Sequence, residues 1–335
     1  MTVTVRQLLE VLGDGNFHSG EALGKALSVS RTAIWKQLSK LSDLHIDLES
    51  VRGRGYRIPG GLELLSPEEI TGGLKPDAGA LLTALQVLDT IDSTNAYARR
   101  QLELGSVQTG DHASAHSSTH GSAYLAECQT GGRGRMGRTW VSPYGRNVYL
   151  SLVWEYEGGA TVLEGLSLAV GVAVRRAVTA LGVADITLKW PNDVLRDGRK
   201  LGGILLEMTG DPVGTCRVIV GIGLNINVPS GIAKTIDQPW HDLADHGLSR
   251  NAIAAAILSE LLPLLSDYTR TGFIPYREEW QGYDAHRGET VQISTPKQSV
   301  TGVARGVAEN GALCLEVDGQ LQYFSGGEVS LRPAD

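Results

Sequence analysis

The hydrophobic period changes twice along this chain, and each change demands a different kind of core. Val5, Leu8, Leu9 and Leu12 fall at i, i+3, i+4 and i+7, a helical stripe ended by Gly13 and Gly15. Ser19 with Glu21 caps a second helix carrying Leu23 and Leu27, and Ser30 caps a third whose Ile34, Leu38 and Leu41 face inward. Residues 46–58 then read as two short strands joined at Arg52-Gly53-Arg54-Gly55. Helix, turn, capped helix and basic-tipped hairpin make a winged helix-turn-helix, expected over residues 1–65, with 62–66 before Pro67 as a hinge. Over 66–284 the period alternates. Helices are expected at 94–104, 163–181 and 251–268, and strands at 123–129, 147–154, 185–190, 201–208 and 218–228, a mixed α/β unit. Over 285–335 only short alternating runs remain, broken at Pro296, Asn310-Gly311, Asp318-Gly319 and Gly326-Gly327. That pattern is a small SH3-like β-barrel. The fold class expected is therefore α+β with several domains.

Charge separates the first unit from the rest. The whole chain carries −7, yet Lys25, Arg31, Lys36, Lys40, Arg52, Arg54 and Arg57 outnumber Asp43, Asp47 and Glu49 in one short span, which is locally +4. The third helix would enter the major groove with Ser30, Arg31, Thr32, Trp35 and Lys36, and Arg52 and Arg54 of the hairpin would touch phosphates. A helical module used for protein contacts is the alternative. Cys128, Cys216 and Cys314 are scattered, so neither a disulfide framework nor a metal cluster is expected. With no apolar leader and no run of about 18 apolar residues, a cytoplasmic protein without a membrane span is expected. The segment 111–122, rich in Ser, Ala and His, reads as a solvated loop insertion rather than a metal site.

Gly132-Arg133-Gly134-Arg135-Met136-Gly137-Arg138-Thr139-Trp140 satisfies G-x-G-x-x-G after a strand, but no helix opens at its third glycine, so the dinucleotide reading fails. Glycines with three arginines instead describe a basic loop able to close over phosphate or carboxylate oxygens. In Lys189-Trp190-Pro191-Asn192-Asp193, Lys189 alternates away from Ile186, Leu188 and Trp190 and stands at a strand end. A lysine fixed there can face the charge developing on a phosphate. Gly202 and Gly203 in one strand and Gly221 and Gly223 in another would, if adjacent, leave a floor for a flat ligand; a crossing helix is the competing explanation. Asp92-Ser93-Thr94-Asn95 opens a helix, where capping competes with binding of a polar head group. There is no P-loop, no G-x-S-x-G elbow and no H-E-x-x-H.

Together these motifs resemble those of the bacterial family of bifunctional biotin–protein ligases and biotin operon repressors, along nearly the whole chain. Phe17-His18-Ser19-Gly20-Glu21, Lys200-Leu201-Gly202-Gly203-Ile204, the stretch from Gly221 to Asn225 and Gly326-Gly327-Glu328-Val329-Ser330-Leu331-Arg332 carry the likeness further. The resemblance implies a class II synthetase-like central domain that joins biotin and ATP, with Mg2+, into biotinyl-5′-AMP. It then implies transfer of biotin to a lysine of the biotin carboxyl carrier protein of acetyl-CoA carboxylase. By the same resemblance Ser93, Thr94, Asn95, Gln129, Arg133, Gly134, Arg135, Lys189 and Gly203 hold biotin. Arg135, Arg138, Trp140, Asn192, Asn225, Trp240 and Arg332 contact the adenylate, with Lys189 and Arg135 as the catalytic charges. An adenylate-bound homodimer would bind an inverted-repeat operator. A lipoate–protein ligase and a non-catalytic metabolite-sensing repressor are the alternative readings. Three features depart from the family pattern: Met136 where arginine is common, Trp35 in the recognition helix where a polar residue is usual, and the insertion at 111–122.

Overall fold

The computed structural model describes residues 4–108, 119–159, 163–211, 214–294, 299–325 and 330–333. Residues 111–118 of the Ser/Ala/His segment and 326–329 of the final motif lie outside that set.

The first unit is built as its capping signals dictate. Helix α1 (Val5–Leu12) buries Leu8, Leu9 and Leu12, and Thr4 and Gln7 form a reciprocal capping box at its start. Ser19 caps α2 (Gly20–Ala26) and Ser30 caps α3 (Arg31–Leu38), each side chain accepting from the backbone N–H three residues on. The wing is shorter than expected: β1 (Glu49–Val51) pairs antiparallel with β2 (Gly55–Arg57), leaving Arg52, Gly53 and Arg54 as the turn. The core of this unit also takes in Tyr144 from the middle of the chain.

In the middle, α4 (Pro67–Gly72), α5 (Pro76–Leu81), β3 (Ala84–Ile91), α6 (Thr94–Gln108), β4 (Ser122–Gln129) and β5 (Val148–Tyr156) come first. Then follow α7 (Leu166–Ala180), β6 (Ile186–Lys189), β7 (Asp193–Arg196), β8 (Arg199–Gly210), β9 (Cys216–Leu224), α8 (Ser230–Ala233), α9 (Arg250–Thr271) and α10 (Ile274–Gly282). The strands form a seven-stranded sheet, order β3-β4-β5-β9-β8-β7-β6, in which only the pair β3–β4 is parallel. Sequence periodicity misses β3, β7 and the short helices α4, α5, α8 and α10. Strand β3 lies at a sheet edge with intermediate or exposed residues throughout: Leu85 and Val87 pack against the core, but Asp89 breaks the apolar alternation. Helix α9 has an 18-residue window of mean hydropathy 1.3, enough by composition to cross a membrane, but 61% of that window is buried within the protein. It packs on α7 beneath the sheet as a core helix.

The last unit is a five-stranded antiparallel sheet of β10 (Thr290–Ser294), β11 (Ser299–Val307), β12 (Leu313–Val317), β13 (Gln320–Phe324) and β14 (Ser330–Pro333), order β13-β12-β11-β10-β14. It docks through Trp190, whose buried Nε1 donates to Gly311 O at 3.0 Å.

The segment expected as a hinge is pinned. Leu65 N donates to Glu127 Oε1 at 2.7 Å, and Arg250 Nη1 donates to Glu63 O and to Glu127 Oε2, both at 2.8 Å. Arg6 of α1 reaches the same carboxylate at 3.4 Å, so one buried glutamate ties the first unit, the connector and the central sheet together.

Candidate active site

Strands β8 and β9 are adjacent and antiparallel, with Gly203 opposite Gly223 and Leu205 opposite Gly221. The four glycines do not interrupt the strands; they bare them. A Cβ on Gly223 would meet Trp140 Cε2 at 2.5 Å, and one on Gly221 would meet Asn95 Oδ1 at 2.3 Å. The strands are adjacent, as the floor requires, and the bare backbone is approached by two of the protein's own side chains. At Gly221 helix α6 comes close through Asn95, and at Gly203 and Gly223 an indole lies on bare backbone. Gly223→Ala should displace that ring. Overpacking of this kind costs roughly 1–3 kcal/mol of stability, which urea denaturation of the variant should read.

Around this floor lies an open cavity of 1290 Å³. Its wall includes Ser93, Thr94, Asn95, Gln129, Arg133, Gly134, Arg135, Arg138, Trp140, Lys189, Asn192, Gly203, Asn225 and Trp240. Every residue assigned to ligand binding from the sequence thus converges on it except Arg332, whose backbone lies in β14 and whose side chain falls outside the described residues.

At one end, the start of α6 is a hydrogen-bonded cluster: Thr94 N donates to Gln129 Oε1 at 2.9 Å, and Ser151 Oγ donates to Asn95 Oδ1 at 2.6 Å and lies 2.8 Å from Thr94 Oγ1. Hydroxyls and amides held this firmly suit a compact polar ring more than a charged group. Over the middle folds the arginine loop as a small hairpin, with Gly134 N donating to Arg138 O at 2.7 Å and Trp140 N to Gly132 O at 2.9 Å. Its tip places the non-glycine Met136 at φ 57°, 69% exposed, so the departure from arginine there faces solvent. Arg135 Nη1 donates to Asn192 Oδ1 at 3.3 Å. Burial pulls the Arg135 guanidinium below its usual range, and Asp193 acts in the opposite direction.

Lys189 lines the cavity, as its alternation in β6 predicts. Sequence reasoning missed the role of a second ammonium. Lys200 Nζ lies 3.7 Å from where a Gly203 Cβ would sit, 5.7 Å from the Trp140 ring centre and 2.9 Å from Asp193 Oδ1. The signal was its place at the start of β8, three residues before Gly203, with β7 folding Asp193 back against it. Burial and then Asp89 push the Cys128 thiol up to about 11, which disfavours the thiolate. His286 and Ser294 bring the last unit to the cavity's rim.

In the first unit Ser30, Arg31, Thr32, Trp35, Lys36, Arg52 and Arg54, the residues expected to contact DNA, are all exposed, Trp35 by 65%. The guanidiniums of Arg54 and Arg57 stack on Phe17 at 4.1 and 4.6 Å, which stiffens the wing.

A ligand-sized, basic-lidded cavity on a mixed sheet, with a winged helix before it and a β unit after it, defines the biotin/lipoate protein-ligase class. Residues 89–225 match the biotin/lipoate A/B protein ligase family, 4–57 a helix-turn-helix domain and 286–332 the biotin protein ligase C-terminal domain. The chain belongs to the family of the bifunctional ligase/repressor BirA. It is 37% identical over 331 residues to that protein of Escherichia coli, covering 98% of this chain and 97% of the relative. The Bacillus subtilis protein of the same name is 30% identical, across 99% of this chain and all of the relative. Among solved structures, a biotin protein ligase from Aquifex aeolicus in complex with biotin and ATP superposes with a TM-score of 0.60 at 26% identity. That match spans 75% of this chain and 99% of the other.

Proposed function

We propose that this chain makes biotinyl-5′-AMP from biotin and ATP, transfers biotin to a lysine of a biotin carboxyl carrier protein, and represses transcription through its winged helix when two adenylate-bound copies pair. The observation that carries the enzymatic reading is the convergence of a neutral hydrogen-bonding end, an arginine flap and two lysine ammoniums on one cavity. In the first step a carboxylate oxygen of biotin attacks the α-phosphorus of ATP and pyrophosphate leaves. Ser93, Thr94, Asn95 and Gln129 hold the ureido ring. Lys200 and Lys189 bring carboxylate and phosphate together by offsetting their mutual repulsion, and Arg135 moves from Asn192 onto the phosphate. Gly203 and Trp140 pack the flat parts of the ligand, while Arg138, Asn192, Asn225, Trp240 and Arg332 address the nucleotide. In the second step the carrier lysine's amine attacks the carboxyl carbon, an amide forms, and AMP leaves with the C–O bond electrons. A closed flap keeps water from the anhydride meanwhile.

No group of three or more His, Cys, Asp or Glu side chains able to hold a metal gathers among the described residues, and Asp193 on the wall is already paired with Lys200. A Mg2+ would therefore be held by the nucleotide's own phosphates rather than by a protein cage, and would supply positive charge there.

Incubation with biotin, ATP and a carrier domain tests the reading: the carrier should gain the mass of one biotinyl group, and lipoate should not compete. Absence of that mass sinks the ligase reading. For the repressor half, Arg52→Ala and Arg54→Ala should each weaken operator binding across sequences and flatten the salt dependence by about one unit of slope. Gel shifts at several salt concentrations measure this. An unchanged slope would remove the wing from the DNA contact.

A further inference from the structure

We infer that Glu207 is the catch that holds the arginine flap shut while the adenylate waits for its acceptor, an inference that rests on the ligase reading. Side chains alternate along β8, so Gly203, Leu205 and Glu207 share one face. The first two line the cavity, and Glu207 stands next in that row, beyond its wall. There it meets Arg133, the stem of the flap, at two points: Oε1 lies 3.2 Å from Nη1, and Oε2 accepts from Nη2 at 3.3 Å. The same Oε1 lies 3.4 Å from Arg99 Nη2 on α6. Asn95, one turn before Arg99 on that helix, donates to Leu205 O at 3.3 Å. One carboxylate therefore joins the flap's stem to the helix that presents Ser93, Thr94 and Asn95.

The hairpin's own hydrogen bonds give it shape but do not fasten it to the sheet. Arg135–Asn192 and Arg133–Glu207 are polar fastenings between flap and body. The first must break when Arg135 turns to the adenylate phosphate. The second persists, because Glu207 lies outside the wall and Arg133 can keep its forked grip without leaving the stem. Glu207 is 15% exposed against 44% for Arg133, so the anchor is fixed and the flap is the moving partner. Glu207 is thus a positioning residue acting through Arg133.

The test uses the full chain with biotin and ATP, without carrier, and follows free biotinyl-5′-AMP by trapping with hydroxylamine. Glu207→Gln keeps the shape and removes the charge. Escape of adenylate should quicken three- to tenfold and the KM for biotin should rise, while the saturated rate of transfer to a carrier domain stays within twofold. Glu207→Asp should restore part of the retention. The double variant Glu207→Gln/Arg133→Gln should leak no faster than Arg133→Gln alone, a coupling that a general loss of stability would not produce. Retention unchanged in Glu207→Gln, or additive leakage in the double variant, overturns the inference. Wild-type protein that forms no adenylate at all overturns the ligase reading, and this inference with it.

Discussion

Lys200→Ala is expected to slow adenylate formation by roughly 10²- to 10³-fold, the loss typical of removing one fixed charge donor from a developing oxyanion. The side chain is only 16% exposed and its ammonium lies over the glycine floor, on the cavity face. Its loss has a second effect. Asp193, 19% exposed and now without its partner, would turn a bare negative charge toward an anionic nucleotide. Lys200→Arg should recover little, since a planar fork cannot occupy the point-charge position between Asp193 and the Trp140 ring. Biotin-dependent pyrophosphate exchange measures all of this, with the unfolding midpoint as the control for folding. Lys189→Ala and Arg135→Ala should also cripple exchange while the fold survives. Exchange within threefold of wild type in Lys200→Ala would remove that ammonium from the chemistry.

Glu127→Ala is expected to destabilise the chain by roughly 3–5 kcal/mol, because it strands a buried arginine. Glu127 is 0% exposed and Arg250 is 4% exposed. Arg250 would keep two bonds to Asn147 O, at 3.0 and 2.8 Å, and one to Glu63 O at 2.8 Å, but uncharged carbonyls cannot neutralise a guanidinium. The connector would lose its anchor at Leu65 N as well. Glu127→Gln, which retains shape and one acceptor, should cost less. Urea denaturation followed by fluorescence reads the difference, and a loss under 1 kcal/mol for the alanine variant would show that the pair is not holding the units together. Asn147 also bonds the Ile226 N–H and approaches Asn225 of the cavity wall, so some ligand affinity should be lost with the stability.

Much of this molecule was legible in its residues. Ser19 and Ser30 announced two helices of the winged motif, because a cap is a local contract between a hydroxyl and a backbone N–H three residues on. The convergent site residues were legible as types and spacings: the arginine loop, the helix start at Ser93-Thr94-Asn95 and the paired glycines. Lys200 was not, because a lysine's meaning depends on what folds against it, and β7 gave no periodic signal of its own. The connector was read as a hinge from its position before Pro67, whereas its backbone is held by side chains from Glu127 and Arg250, far away in sequence.

The residues alone determined the capped helices and the strongly periodic strands, with the side chains these turn inward, since capping, turn chemistry and hydrophobic period act within a few neighbours. Tertiary structure decided that Gly203 meets Gly223, that Trp140 lies on that bare patch, and that Glu207 grips Arg133. Those contacts join positions far apart along the chain, and only strand register and packing can bring them together.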